Sequence, residues 1–189
     1  MISKIQFIAC STLATSVIFT SGISQAAVNG SLELNFQSSI TSGSCEIGVI
    51  DESGNSNLSN TVILPSLTPS EVNIIAGVVG TSVSFSVGAL DPEACFNGGA
   101  VTTFDMIASG DQVHTDVLRN SFSTGPTNMG VQMLLDSGDS ILNAPFLEKP
   151  ISSAEDTVVN LKAQLFHLDT MVPNQGLIGS TAVFTTAYY

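Results

Sequence analysis

The sequence predicts an all-β fold, an antiparallel sandwich of some seven to nine strands in one domain. Short runs in which apolar and polar residues alternate recur along the chain, and Gly, Asn, Asp, Pro and Ser separate them. The composition agrees, because Ser, Thr, Val and Gly are frequent whereas Lys and Arg together number four. No segment sustains an apolar stripe of helical period.

The first 26 residues are predicted to be a secretory signal peptide and not a part of the fold. Lys4 is their only charge and precedes an apolar run over 5–19. The segment closes with Ser24-Gln25-Ala26, which has small residues at the first and third positions before a cleavage site at Ala27 or Val28. The alternative is a membrane anchor, but serines and threonines interrupt the run, which is shorter than the roughly 20 apolar residues of a span.

The predicted strands follow one another from residue 28 to the end of the chain. Three of them alternate, namely 28–36, 83–87 and 158–168, whereas the run at 61–64 is continuous and is predicted to end at Pro65. One helical turn is predicted within 69–75. The strand predictions are 28–36, 61–64, 83–87, 101–107, 130–135, 158–168 and 182–189.

The charge of the predicted mature chain excludes nucleic-acid binding. Removal of the leader leaves 163 residues, which hold all 16 acidic residues and only Arg119, Lys149 and Lys162 as bases, a net charge of −13. Nucleic-acid binding depends mainly on basic side chains that displace counterions from phosphates. A surface this acidic is also repelled by anionic lipid.

The cysteines predict one disulfide and an oxidising compartment. Cys10 leaves with the leader, so the mature chain keeps Cys45 and Cys95, an even pair behind a signal peptide. Closing a loop of this length stabilises by about 4 kcal/mol in the chain-entropy model. The alternative is two unpaired buried thiols. A zinc site would need two further ligands close by, and the only histidines, His114 and His167, are isolated.

The sequence shows no catalytic or cofactor-binding motif, and the prediction is a protein that is not an enzyme. A Gly-rich phosphate loop between strand and helix is missing, as is a Gly-x-Ser-x-Gly elbow. His114 is predicted in a solvated loop, and His167 at the surface or on an edge strand. Asp136 and Asp139 flank Gly138 as turn residues, with a weak calcium site as the alternative.

Several motifs occur in a fixed order along the mature chain. The first strand places alternate residues on one face before the first cysteine. An Asn-x-Gly-Val-Gln run begins at Asn128, Gly176 is the fourteenth residue from the C-terminus, and Phe184 lies four residues before the penultimate Tyr188. The residues on the first strand's apolar face are Val28, Gly30, Leu32, Leu34 and Phe36.

These motifs resemble the chaperone–usher pilins, in particular subunits similar to the type 1 major pilin. The resemblance implies an incomplete immunoglobulin-like sandwich that lacks its last strand and is completed by donor-strand exchange. Two departures stand out. A glycine common in the family after the Phe36 position is Ser38 here, and the interval between the cysteines is longer, with an insertion around 51–60.

The resemblance also implies roles for residues and partners. Residues 27–36 would be the donor extension and 37–189 the pilin domain. Gly176, Phe184 and Tyr188 would belong to the acceptor groove and to the C-terminus that a chaperone recognises. The implied partners are neighbouring pilin subunits, a periplasmic chaperone and an outer-membrane usher, on the way to a surface fimbrium of a Gram-negative bacterium. No cofactor is implied.

Alternatives to this interpretation remain at the level of sequence. The apolar face of the first strand also suits an ordinary strand packed in its own domain. Within the same class, a minor adaptor or tip subunit fits as well as a major one, in a fibre for adhesion or biofilm formation. A single-domain carbohydrate-binding adhesin would lack tryptophan, the commonest sugar-stacking side chain. A secreted hydrolase is the remaining class.

Overall fold

Two β-sheets face each other across one apolar core, which confirms the predicted all-β sandwich. The computed structural model describes residues 28–40, 45–57, 59–72, 74–143 and 147–189, so the predicted leader lies outside the described residues. The described residues form twelve strands. Five of these strands, each of two to five residues, were not predicted, because runs this short show little or no alternation. In the described part of the chain, no helix has the length and apolar character needed to cross a membrane.

The first sheet has five strands and contains both the first and the last strand of the described chain. In this sheet the pairing of β1 with β12 is parallel, and all other strand pairings are antiparallel. In spatial order the strands are β10 (Leu147–Pro150), β6 (Thr103–Gly110), β12 (Ile178–Tyr188), β1 (Val28–Ile40) and β4 (Thr61–Leu67).

The second sheet has seven strands, all paired antiparallel. Its inward side chains alternate with outward ones, as on β11, where Leu161, Ala163 and Leu165 are buried. In spatial order the strands are β3 (Ser56–Asn57), β2 (Ile47–Asp51), β5 (Gly77–Ala89), β11 (Val158–His167), β9 (Met129–Leu135), β8 (Val117–Arg119) and β7 (Gln112–His114).

The strand predicted to end at Pro65 continues through it. β4 runs to Leu67, and its pairing with β1 shifts register between Val28 and Gly30, opposite Leu67 and Leu64. β4 is also the edge strand of its sheet. A proline is tolerated at an edge or an irregular pairing because no ladder hydrogen bond is required of its nitrogen there. The prediction was therefore wrong in treating Pro65 as a strand end.

One helix, α1 (Pro92–Phe96), was not predicted, although the sequence contains its start signal. Asp91 caps it by accepting a hydrogen bond from the Ala94 amide at 3.0 Å, and proline occupies the first helical position. The predicted helical turn near residue 70 is a 3-10 turn, Pro69–Glu71. α1 carries Cys95, which forms the predicted disulfide with Cys45, with the two Cα atoms 4.8 Å apart.

His167 is fully buried, so the prediction of a surface or edge position was wrong. β11 has a neighbour on each side, and its inward alternation continues to its last residue. The turn after the strand covers the ring, whose Nε2 lies 2.8 Å from the carbonyl oxygen of Met171. His114 is exposed as predicted, but it ends the short strand β7 and is not in a loop.

Asp136 and Asp139 lie in a turn, as predicted. The Gly138 amide donates to Leu135 O at 2.9 Å, and the Leu135 amide donates to Asp139 O at 2.8 Å. Gly138 has a φ of 97°, a conformation that favours glycine. Among the residues that the structure describes, no group of three His, Cys, Asp or Glu side chains could hold a metal ion.

Candidate functional site: the groove that β1 occupies

β1 fills the space between β12 and β4. Leu34 lies opposite Ala182 in the parallel pairing with β12, and Leu32 lies opposite Val62 in the antiparallel pairing with β4. In the described sheet β12 and β4 do not pair with each other. The hydrogen-bond ladder of the five-stranded sheet is therefore continuous only through β1.

The apolar face of β1 is inserted into the core. Leu32 and Leu34 are 0% and 1% exposed, whereas Glu33 and Asn35 between and after them are exposed. Burial of one leucine side chain contributes about 1.5–3 kcal/mol. Gly30 marks a close approach between the sheets, because a Cβ there would lie 2.9 Å from a methyl carbon of Leu165.

The structure describes the side chains of only some of the predicted donor residues. The backbone of Val28 pairs with Leu67 and that of Phe36 with Phe184, but the structure does not describe the side chains of Val28 and Phe36. The strand itself extends to Ile40, beyond the predicted end of the donor extension. The buried side chains that surround β1 are Val62, Leu64, Leu165, Ile178, Ala182 and Phe184.

The predicted acceptor residue Tyr188 fastens the end of β12 to the core. Its ring is fully buried and stacks on Phe104, with 4.5 Å between the ring centroids and 10° between the planes. Its hydroxyl donates at 2.7 Å to the carbonyl oxygen of Thr157, the last residue of the 3-10 helix directly before β11. Burial raises the pKa of Tyr188 well above that of an ordinary tyrosine, against a smaller opposing effect of a backbone hydrogen bond with Ala89. Phe184, the other predicted aromatic, is buried on the same face.

Tyr189 also fastens the end of β12, through contacts different from those of Tyr188. A terminal oxygen of Tyr189 accepts hydrogen bonds from the backbone amides of Thr102 and Thr103, both at 2.8 Å. Its phenol donates to a carboxylate oxygen of Asp105 at 2.7 Å, and this bond is the main cause that raises the pKa of Tyr189 to about 12. None of these contacts was predicted from the sequence.

Gly176 allows a loop to pack against the chain just before β12. A Cβ at this position would lie 2.9 Å from the Cα of Gly125 and 3.0 Å from Thr124 O. Asn120, which was not predicted, joins the same segments. Its amide nitrogen donates to Leu177 O at 3.1 Å, and its oxygen accepts the Gly179 amide at 3.0 Å.

The Asn-x-Gly-Val-Gln run begins just before β9 and continues into that strand, which belongs to the opposite sheet. Val131 and Met133 are buried core residues of β9. The Gln132 amide donates to Asp116 at 2.6 Å. The Asn128 amide donates to the Asp169 carboxylate at 2.9 Å and to Met171 O at 2.8 Å. The residues of this motif therefore serve packing and turn formation.

Comparison with known proteins gives structural neighbours only. No family model matches the chain, and no curated protein matches it. Solved structures similar to it include the P pilus rod subunit PapA, with 15% identity, a TM-score of 0.49, and coverage of 77% of this chain and 99% of that one. Another is a Burkholderia pseudomallei antigen and type I fimbria protein, with 18% identity, a TM-score of 0.39, and coverage of 85% and 90%.

Proposed function

We propose that this protein is a structural subunit of a chaperone–usher pilus that polymerises by donor-strand exchange. The observation that supports the proposal best is the position of β1, which completes a sheet between β12 and β4 through its alternating apolar face. A four-residue segment, 41–44, separates β1 from Cys45 and the rest of the domain. Because β1 is the first strand of the described chain, it can leave the groove without drawing another strand out of the sheet.

The physical basis of the exchange is β-strand addition. Without β1, the groove would expose unpaired backbone groups and a trough of apolar side chains, which invites aggregation. A strand from another chain satisfies both needs, because backbone pairing supplies affinity and alternate side chains supply register. A contact that repeats from one subunit to the next without closing produces a filament.

The proposed partners follow from this requirement for a filled groove. In the periplasm a chaperone would fill it, and at an outer-membrane usher the β1 strand of the next subunit would replace the chaperone. The Cys45–Cys95 disulfide suits an oxidising compartment. The proposed location is the surface fimbrium of a Gram-negative bacterium, and the proposed role is adhesion or biofilm formation without enzymatic activity.

A matched pair of substitutions on β1 tests donor-strand exchange. Leu34→Asp places a charge on the buried face, whereas Asn35→Asp adds the same charge on the exposed face of the same strand. In cells that make only one variant, Leu34→Asp should abolish fibres seen by electron microscopy while the subunit still co-purifies with its chaperone. Asn35→Asp should assemble like the wild type.

Deletion of residues 27–35 gives an independent test of the same proposal. The shortened subunit should still be captured by the chaperone, because the acceptor groove is intact, but it should not fill the groove of a neighbour. Normal fibres built from the shortened subunit or from Leu34→Asp would refute the assignment of β1 as the donor.

A further inference from the structure

One end of the molecule is unusually apolar. Seven of the ten exposed large hydrophobic side chains in the described part of the chain lie on or beside the connections 68–76, 120–128 and 168–177. These connections meet at one end, because Gly77 pairs with His167 and His167 pairs with Met129. They contain two acidic residues and no base. We name this surface the apolar end and define it by Ile74, Ile75, Val78, Met171 and Val172.

Hydrogen bonds hold the backbone of the apolar end in place. Met171 and Val172 are 66% and 60% exposed, yet the backbone that carries them is fixed by buried or half-buried polar groups. Met171 O lies 2.8 Å from both the Asn128 amide nitrogen and His167 Nε2, and the Met171 amide donates to Asp169 Oδ1 at 2.8 Å. Rigid display of apolar side chains to solvent is typical of a contact surface.

The opposite end combines acidic side chains with an apolar groove. We name it the acidic end; its segments 45–46, 90–102 and 151–157 hold five acids, and the one base beside them, Lys149, lies 3.6 Å from the Asp156 carboxylate. A groove of about 400 Å³ lies there beside α1 and the 3-10 helix Ala154–Thr157, with Glu93 and Glu155 on its rim. Its apolar lining is formed by Ile50, Leu90, Pro92, Ala154 and Val158.

We infer that the apolar end of one copy of this chain packs into the groove at the acidic end of the next copy in the assembled fibre. The inference rests on the proposed donor-strand exchange. Exposed apolar side chains at one end and an apolar groove at the other form a heterologous, non-closing contact, which propagates a filament. The occupant of the groove is therefore a second copy of this chain.

The connection of β1 to its domain supports this arrangement. β1 leaves the body at the acidic end, because Ile40 pairs with Tyr188 and only four residues separate Ile40 from Cys45. From Ile40 to Cys45 the chain reaches at most about 17 Å. When β1 is donated, the acidic end of the donor must therefore lie close to the acceptor at the position of Ile40.

The direction of the donated strand decides which end of the acceptor is involved. If the donated strand runs parallel to β12, as β1 does within this chain, Ile40 lies beside the acceptor's Tyr188 and the acidic ends of the two subunits meet. Two subunits that exchange strands in this way would form a closed dimer. Antiparallel insertion places Ile40 near Ile178, at the apolar end. Repulsion between two acidic ends favours the second arrangement, which also leaves the chain of subunits open.

Charge substitutions at Ile75 test the inference in the full mature chain, with assembly read as the ladder of unboiled polymers on a gel and as fibre length by electron microscopy. Ile75 is 71% exposed, so the fold should tolerate a charge there. Ile75→Asp should shorten fibres about tenfold, because it faces the neighbour's carboxylates. Ile75→Lys should assemble nearly as well as the wild type. Val113→Asp, at an exposed position on β7, the edge strand of the other sheet, is the control and should have no effect.

A reversal of charge on the groove rim completes the test. Glu93→Lys together with Glu155→Lys should restore the length of Ile75→Asp fibres. Wild-type fibre length in Ile75→Asp, or equal losses in the Asp and Lys variants, would overturn the inference while leaving strand exchange intact. A wild-type chain that forms no ladder of polymers would overturn both the inference and the proposed function.

Discussion

β1 and β12 are neighbours in the same sheet and bury alternate side chains in the same way, but they are held by different means. β12 pairs with β6 on its far side, and its end is fastened by Tyr188 and Tyr189. β1 pairs with the edge strand β4 on its far side, and its outward side chains Glu33 and Asn35 are exposed. The two strands therefore bury their inward faces alike, but β12 makes more contacts with the rest of this chain than β1 does.

The difference shows that burial reveals which face of a strand points into the core. Burial does not reveal whether that strand must come from the same chain or can come from another one. The core requires leucine side chains at the positions of Leu32 and Leu34, and backbone groups to pair with β12 and β4. Both requirements can be met by a strand with the same alternation from another molecule. β12 also carries the aromatic contacts of the C-terminus, so a peptide could not replace it as simply.

The largest expected effect comes from charges on the inward faces of the two strands. Leu34→Asp and Phe184→Asp each place a carboxylate in the core and should each cost several kcal/mol of folding free energy. A synthetic peptide of residues 28–40 should restore a cooperative thermal transition to Leu34→Asp, because the defective β1 can leave the groove. The same peptide should not restore Phe184→Asp. Circular dichroism during refolding, with and without peptide, measures both.

Equal rescue of the two variants would show that β1 and β12 are equally replaceable, and rescue of neither would show that β1 belongs to its own domain as firmly as β12 does. A peptide carrying the Leu34→Asp change itself is the control and should rescue neither variant.

The sequence predicts the faces of these strands well and their neighbours poorly. Alternation places Leu32 and Leu34 on one face whatever lies beside them, because the period of two is a local property. The parallel direction of β1 relative to β12 leaves no mark on that pattern. The position of a strand within its sheet leaves no mark either, which is why the sequence wrongly predicts a strand end at Pro65 and a surface or edge position for His167.

Parts of the candidate site depend on contacts between distant segments and could not be predicted. Asn120 joins the loop before β9 to the start of β12, and Asp105 binds the phenol of Tyr189. Asparagine and aspartate occur throughout this chain, so nothing local distinguishes these two. The cap of α1 is different, because Asp91 followed by Pro92 is a local signal that was available.

The next largest effect is expected at the end of β12. Removal of residues 187–189 deletes the ring of Tyr188, which is stacked on Phe104, and a buried aromatic of this kind contributes roughly 3–5 kcal/mol. The shortened subunit should fail at chaperone capture and be degraded or aggregate in the periplasm. The measurement is co-purification with the chaperone from a periplasmic extract, and undiminished recovery of a one-to-one complex would contradict the role given to the end of β12.

The disulfide fixes the point from which β1 leaves the domain, since Cys45 follows the connecting segment directly. Cys45→Ser with Cys95→Ser should lower the free energy of unfolding by about 4 kcal/mol, as the chain-entropy model gives for a loop closed over 50 residues. Urea unfolding of the oxidised and the double-variant protein measures the difference. A loss below about 1 kcal/mol would show that the contacts of β1 and α1 hold this corner without the bond.

The smallest effect concerns the last residue and tests how firmly the end of β12 is fastened. The hydrogen bond to Asp105 raises the pKa of Tyr189 from 10.0 to about 12. A raised tyrosine pKa gives a contribution to stability that is complete below pH 10 and is lost as the pH rises through about 12.

The chain has two tyrosines and no tryptophan, so tyrosinate absorbance reports only Tyr188 and Tyr189. In the folded protein neither should ionise near pH 10, and Asp105→Asn should bring the titration of Tyr189 down toward that value. Tyr189→Phe is the control and should remove this titration while Tyr188 stays protonated until the protein unfolds. A tyrosine that ionises at its ordinary pKa in the folded wild type would mean that the end of β12 is open, and the contrast with β1 would then rest on Tyr188 alone.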